Sequence, residues 1–172
     1  MKLTRTLLVA SAVIALAACS KKPPAQLPPA PGDTGAGSGV ATGPATPAGP
    51  RKGSQEDFMA SVASDRIFFG LDQYDIDAED QQTLQSQAAW LQQNPSVRVT
   101  IEGHADERGT RDYNIALGER RANAAKNYLA SLGIDPGRIT TVSYGKERPA
   151  ALGSDEASWA QNRRAVTVTI QY

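Results

Sequence analysis

The apolar residues of this chain are spaced in three different ways along its length, and each spacing belongs to a different kind of segment. Residues 7–18 are an almost unbroken apolar run behind Lys2 and Arg5. This is the layout of a secretory signal peptide, and the run is too short to span a bilayer comfortably. From residue 20 to residue 53 large apolar side chains nearly vanish: Leu27 and Val40 are the only larger aliphatics, set among Ala, Gly, Ser and Thr and prolines at 23, 24, 28, 29, 31, 44, 47 and 50. Burial there cannot offset the entropy of ordering the chain, so the segment is expected to be a disordered linker that its prolines keep extended. From about Asp57 onward, periodic patterns set in.

Arg66-Ile67-Phe68-Phe69 reads as a short strand. Asp77 is placed to cap a helix whose first turn carries Glu79 and Asp80, and Asn94-Pro95 closes it. Leu84, Ala88 and Leu91 recur at i, i+4 and i+7, which predicts one buried stripe with the glutamines turned to water. Residues 97–101 alternate apolar and polar, the mark of a strand with one wet face, and residues 102–111 read as a polar loop. A second helix is predicted over 112–132, stopped by Gly133. A strand over 139–144, a loop over 145–153, a short helix over 155–161 and an alternating strand over 166–170 complete the chain. The order β-α-β-α-β-(α)-β predicts an α/β fold, a two-layer sandwich with a mixed four-stranded sheet and its helices packed on one face. The division expected is a signal peptide over 1–18, a linker segment over 19–55 and one folded domain over 56–172.

Charge narrows the function classes. Lys and Arg together number 18, and so do Asp and Glu, so no global field favours nucleic acid or an anionic membrane. The single cysteine, Cys19, cannot form an internal disulfide. Leu16-Ala17-Ala18-Cys19 resembles the lipobox of bacterial lipoproteins. That resemblance implies that Cys19 becomes the acylated first residue of the mature chain, and Ser20 in place of an Asp favours the outer membrane. Several acyl chains make such an anchor effectively permanent. An enzyme would have to be built on the one histidine, His104, with Glu102, Asp106 or Glu107, which falls short of the usual ligand set of a catalytic zinc site. Neither a phosphate loop nor a nucleophile elbow is present. No metal, no cofactor and no catalysis are expected. A flagellar stator or a porin would need more membrane-spanning sequence than the chain shows.

The segment from Glu102 to Gly109 joins a strand end to a helix start, a junction that commonly gathers polar groups in one cleft. In the helix that follows, Leu117, Arg121, Ala124, Ala125 and Tyr128 fall on one side, so Arg121 sits on the apolar stripe. A buried guanidinium needs an anion, and Asp106 is the nearest candidate by sequence. The pair is either a closed bridge that orients the loop or is open to a ligand. Asn114 adds an amide on the same side.

Asp106, Gly109, Asn114, Leu117, Arg121 and Ala122 match the pattern D-x-x-G-x-x-x-x-N-x-x-L-x-x-x-R-A, by which the chain resembles the OmpA-like peptidoglycan-binding domains. The likeness runs from about Arg66 to Ile170 and includes residues 69–74, 143–149 and 162–166, which are similar to the lipoproteins of the Tol-Pal envelope system within that family. It implies a sheet of order 1-4-2-3 with the fourth strand antiparallel, and a cleft for the meso-diaminopimelate of the peptidoglycan stem peptide. Asp106 would take that residue's ammonium and Arg121 its carboxylate. Asn114, Leu117, Asp72 and Arg108 would complete or border the cleft. The periplasmic propeller protein TolB is implied as a partner docking over part of the same face, together with the other Tol proteins. The chain departs from the family pattern at Leu71, where related lipoproteins often carry an aromatic wall residue, and at Gly118, a mid-helix glycine that costs about 1 kcal/mol relative to alanine unless a close backbone approach compensates. The function expected is a non-covalent tether between outer membrane and cell wall. The alternative is a protein-docking module of the envelope without direct wall contact.

Overall fold

The computed structural model describes residues 49–170, and the signal peptide, Cys19 and most of the linker expected from the sequence lie outside the described residues. Local sequence sets the ends of each element. The Ser54 hydroxyl accepts from the Asp57 amide at 3.1 Å and starts helix α1, Gln55–Ser61. Strand β1 is Arg66–Phe68, and helix α2, Ala78–Gln93, begins where Asp77 accepts from the Asp80 amide at 2.8 Å. Strand β2 is Arg98–His104, and helix α3, Arg111–Ser131, is capped by Thr110. A single 3₁₀ turn, Pro136–Arg138, leads into strand β3, Ile139–Gly145, and helix α4, Glu156–Asn162, leads into strand β4, Arg164–Ile170. Gly133 ends α3 in the left-handed conformation at φ 91°, as a C-terminal glycine should.

The sheet order is β1-β4-β2-β3, with β2 and β3 parallel and β4 antiparallel to both β1 and β2. Leu84, Ala88 and Leu91 of α2 and Ala122, Ala125 and Leu129 of α3 meet Ile67, Val99, Ile101 and Ala165 on one face of the sheet. The two-layer α/β sandwich read from the sequence is therefore the fold. Helix α3 approaches the sheet closely through two glycines. A Cβ on Gly103 would stand 1.8 Å from the Gly118 carbonyl oxygen, and one on Gly118 would stand 2.8 Å from the Gly103 oxygen and 2.4 Å from Ser143 Oγ. Gly118 thus trades helix propensity for close seating of α3 on the sheet.

Several expectations shift. Helix α1 was not legible, because it buries one side chain only, Phe58, whose ring meets Trp90 edge-on at 5.0 Å. Its cap at Ser54 means that the linker boundary expected at residue 55 falls slightly late. Gln55 also finishes the sheet: β1 is three residues long, and beyond it the Gln55 side chain accepts from the Thr169 amide at 2.7 Å and donates to the Thr167 carbonyl at 3.4 Å. A side-chain amide here stands in for the missing strand and protects the open edge. Not every glutamine of α2 faces water. Gln87 is fully buried, donating to the Ser64 carbonyl at 2.8 Å and accepting from the Thr167 hydroxyl at 2.8 Å. Strand β2 runs on through Glu102, paired with Val142 and Val166, to His104, so the polar loop begins at Ala105 and not at residue 102.

Candidate functional site

The loop after β2 is held from three directions. The Ala105 amide donates to the Gly145 carbonyl at 2.8 Å, the Asn114 amide group donates to the Arg108 carbonyl at 2.7 Å, and Gly109 takes a left-handed φ of 83° that lets the chain turn into α3. Opposite lies the loop after β1, where Asp72 adopts φ 56° and accepts from the Tyr113 hydroxyl at 3.2 Å. Between the two loops opens a cleft of about 260 Å³. Leu71, Asp72, Asp106, Arg108, Asn114, Leu117 and Arg121 all line it, so the structure brings together every ligand-contact residue expected from the sequence. Lipidation at Cys19 lies outside the described residues.

Among the lining side chains that were missed are Tyr113 and Arg163. Arg163 arrives from the turn between α4 and β4, and its Nε donates to the Phe69 carbonyl at 2.9 Å while Nη2 donates to Glu156 at 2.7 Å. The alternation of β4 did not announce it: Val166, Val168 and Ile170 carry the apolar pattern, whereas position 163 shares the face of Ala165 and Thr167, which the structure buries.

The sequence left the Arg121–Asp106 pair either closed or open, and in the structure it is open. Arg121 is fully buried, but it does not bridge to Asp106. Its guanidinium donates to three backbone carbonyls, those of Gln73 at 2.8 Å, His104 at 2.8 Å and Gly70 at 3.0 Å, and lies 5.1 Å from the Phe69 ring centroid. Backbone dipoles converging on one point have replaced the expected carboxylate. Asp106 is claimed by Arg108, whose Nε lies 3.1 Å from Oδ1 and whose Nη2 lies 2.6 Å from Oδ2, and Arg163 Nη1 stands 3.5 Å from Oδ2. The two-residue spacing lets Arg108 also donate its backbone N–H to Oδ1 at 3.1 Å, a local geometry that the more distant Arg121 cannot match.

Burial alone would raise the pKa of Asp106, but hydrogen bonds from Arg108 and the neighbouring positive charge hold it below the ordinary carboxylate value. Arg121 is lowered to about 10, first by burial and then by the facing Arg163, and so it stays charged at neutral pH. Two like charges therefore share one wall of the cleft, and Arg163 Nη1 is buried with no hydrogen-bond partner among the described residues. His104, the starting point for any metal reading, is buried against Tyr144 with its pKa lowered to about 4 by burial and by Arg164, Arg148 and Arg66. Among the described residues no group of three or more potential ligands could hold a metal, and no helix is long and apolar enough to cross a membrane.

Known proteins resemble this chain in sequence and in fold. The model of the OmpA family matches residues 68–163. A peptidoglycan-associated lipoprotein of Brucella melitensis is 52% identical over 155 residues, covering 90% of this chain and 85% of that protein. One from Haemophilus influenzae is 45% identical over 165 residues, covering 96% and 97% respectively. The crystal structure of the peptidoglycan-associated lipoprotein from Burkholderia pseudomallei superposes with a TM-score of 0.61 at 45% identity, over 63% of this chain and 92% of that one. On fold, motif and sequence together, this chain belongs to the peptidoglycan-associated lipoproteins, a branch of the OmpA family.

Proposed function

We propose that the chain is an outer-membrane lipoprotein, a binding protein and not an enzyme, whose cleft holds the meso-diaminopimelate of the peptidoglycan stem peptide and so tethers membrane to wall. The carrying observation is the charge arrangement of the cleft. Arg108, Arg121 and Arg163 face Asp106 and Asp72, leaving a cationic surplus beside a buried carboxylate. The distal centre of diaminopimelate bears an ammonium and a carboxylate, which matches an acid beside guanidiniums. Arg163 Nη1, buried 3.5 Å from Asp106 Oδ2 and without a hydrogen bond among the described residues, and the remaining N–H groups of Arg121 supply donors for the carboxylate, which also relieves the repulsion between the two arginines. Leu71 and Tyr113, both exposed and lining the cleft, supply apolar surface for the peptide or for a docking protein such as TolB. This surface is what favours the second reading, a docking module of the Tol-Pal system without direct wall contact.

Calorimetric titration with a diaminopimelate stem peptide and its lysine counterpart separates the two. Lysine keeps the ammonium and loses the carboxylate, so it should bind about tenfold or more weakly, since even part of the several kcal/mol tied to a buried charge partner reaches that ratio. Equal affinities would refute the charge-reading mechanism, and no binding of either peptide would leave the docking reading.

A further inference from the structure

Arg108 and Arg163 both approach Asp106, but they are held in different ways. Arg163 is 8% exposed and fixed by the Phe69 carbonyl and by Glu156. Arg108 is 34% exposed, and among the described residues Asp106 is its only hydrogen-bonded side-chain partner. On its other side the guanidinium carbon lies 4.1 Å from the centroid of the Trp159 ring, and Nη1 lies 3.9 Å from Glu156 Oε2, just beyond hydrogen-bonding distance. Trp159 is itself anchored, its indole N–H donating to Glu107 at 3.0 Å, and Glu156 is anchored through its other oxygen by Arg163 at 2.7 Å. A second seat for the Arg108 cation, an aromatic face beside a carboxylate oxygen, thus stands next to the first.

We infer that Arg108 is a displaceable internal counter-ion: its fork sits where a ligand ammonium must bind Asp106, and it moves to Glu156 over the Trp159 ring when that ammonium arrives. The inference rests on the proposed binding of diaminopimelate, and adds how the cleft is opened. Arg163 Nη1 stands 3.5 Å from Asp106 Oδ2 without a hydrogen bond, so a buried carboxylate that must wait for its ligand still needs a close stand-in cation. Exchange keeps Asp106 paired throughout, because one cation replaces another. It also imposes selectivity, because a tethered guanidinium competes at a high effective concentration and only a well-placed ammonium displaces it. Trp159 keeps its contact with the guanidinium during a short swing, since an aromatic face holds a cation without a fixed direction of approach. Arg108, Glu156 and Trp159 are in this sense positioning residues, acting on the ligand through Asp106.

The test is a double-mutant cycle on the full chain in detergent, titrated with L-alanyl-γ-D-glutamyl-meso-diaminopimelate. Arg108→Ala removes the competitor and should tighten binding; if the stand-in leaves the site open about one tenth of the time, the gain is about tenfold. Glu156→Gln removes the charge of the second seat while its amide oxygen can still accept from Arg163, so it should loosen binding and slow association, and this effect should disappear when Arg108 is already alanine. A merely structural Glu156 would loosen binding in both backgrounds. Tighter binding for Arg108→Ala together with a Glu156 effect that depends on Arg108 is the expected result. Weaker or unchanged binding for Arg108→Ala, or a Glu156 effect that persists without Arg108, overturns the inference. A measurement without ligand separates this from failure of the wall-binding proposal. Asp106→Asn should send Arg108 to its second seat, shifting the Trp159 indole and Arg108 Nε–H signals in nitrogen-15 spectra. Should the unmodified chain bind no peptide, the wall-binding proposal falls, and unmoved Arg108 and Trp159 signals would then overturn the displaceable counter-ion as well.

Discussion

Replacing Arg121 with alanine should destabilise the domain before it says anything about ligand binding. The side chain is fully buried and ties together the loop after β1, through the Gly70 and Gln73 carbonyls, and the end of β2, through the His104 carbonyl. Alanine strands all three acceptors. Each buried, unpaired polar group costs about 1 to 3 kcal/mol, but the loop carbonyls can recover water once the side chain is gone, so the sum is expected at roughly 3 to 5 kcal/mol. That is a large part of the 5 to 15 kcal/mol that holds a typical domain together, and corresponds to a fall in Tm on the order of 15 °C. Arg121→Lys keeps the charge but not the planar fork, and an ammonium cannot serve three separated carbonyls at once, so it should recover only part of the loss. Urea unfolding followed by circular dichroism measures both variants. An Arg121→Ala variant within about 0.5 kcal/mol of the unmodified chain, the range of ordinary surface substitutions, would refute the argument. If the loss is as large as expected, reduced wall binding by that variant is a folding effect, and ligand contact must be tested at Asp106 and Arg163.

Gly118→Ala should lower the denaturation midpoint although alanine gains about 1 kcal/mol in helix propensity, because its Cβ meets the Gly103 carbonyl; Gly103→Ala, at 1.8 Å from a backbone oxygen, should be worse, and an unchanged or raised midpoint for either would contradict the packing. Burial, with Asp77 and Glu79 adding repulsion, raises Asp80 from 3.8 to about 6, so the folded state holds that proton more tightly and this group's contribution to stability falls as pH rises from about 4 to about 6. Asp80→Asn should lose that fall, which unfolding curves at pH 4, 5, 6 and 7 will reveal. His104 has the opposite sign: its folded pKa of about 4 against the ordinary 6.5 means that its contribution is present above pH 6.5 and lost as pH falls towards 4, and the sole imidazole of the chain should titrate near 4 by NMR. Cys19→Ser should leave the domain folded yet remove it from the outer-membrane fraction; a variant that still sediments with that membrane after the wall is digested would disprove the lipid anchor.

What was legible in the sequence was whatever a side chain announces by its spacing. Asp77 before Glu79 and Asp80, the Leu84, Ala88 and Leu91 stripe, and the alternation from Val97 each marked an element that the structure contains. The cleft was legible as a set of residues, because the motif fixes Asp106, Asn114, Leu117 and Arg121 on one loop and one helix face. Its pairing was not legible. A guanidinium on an apolar stripe shows that partners exist but not which, and the carbonyls of Gly70, Gln73 and His104 leave no trace in side-chain pattern because every residue has one. Helix α1 and Gln55 were hidden for a related reason: seven residues with one buried ring give no periodicity, and an amide that completes a sheet edge looks like any other glutamine.

The same distinction between backbone and side-chain partners divides the labour in the cleft. Arg121, bound to carbonyls of three separate residues, can change partner only if two loops move with it, so its position is set by the fold and its charge is a fixed part of the wall. Arg108, bound to one carboxylate and resting on one ring, can change partner by turning its own side chain. The spacing from Asp106 to Arg121 thus joins, on the proposed exchange, an acid held by a single turning side chain to a base held by three backbone carbonyls. On the proposed exchange, a ligand carrying both charges on a single carbon would meet a fixed cation and an anion whose counter-ion can leave, and would need only one side chain to move for both of its groups to be satisfied.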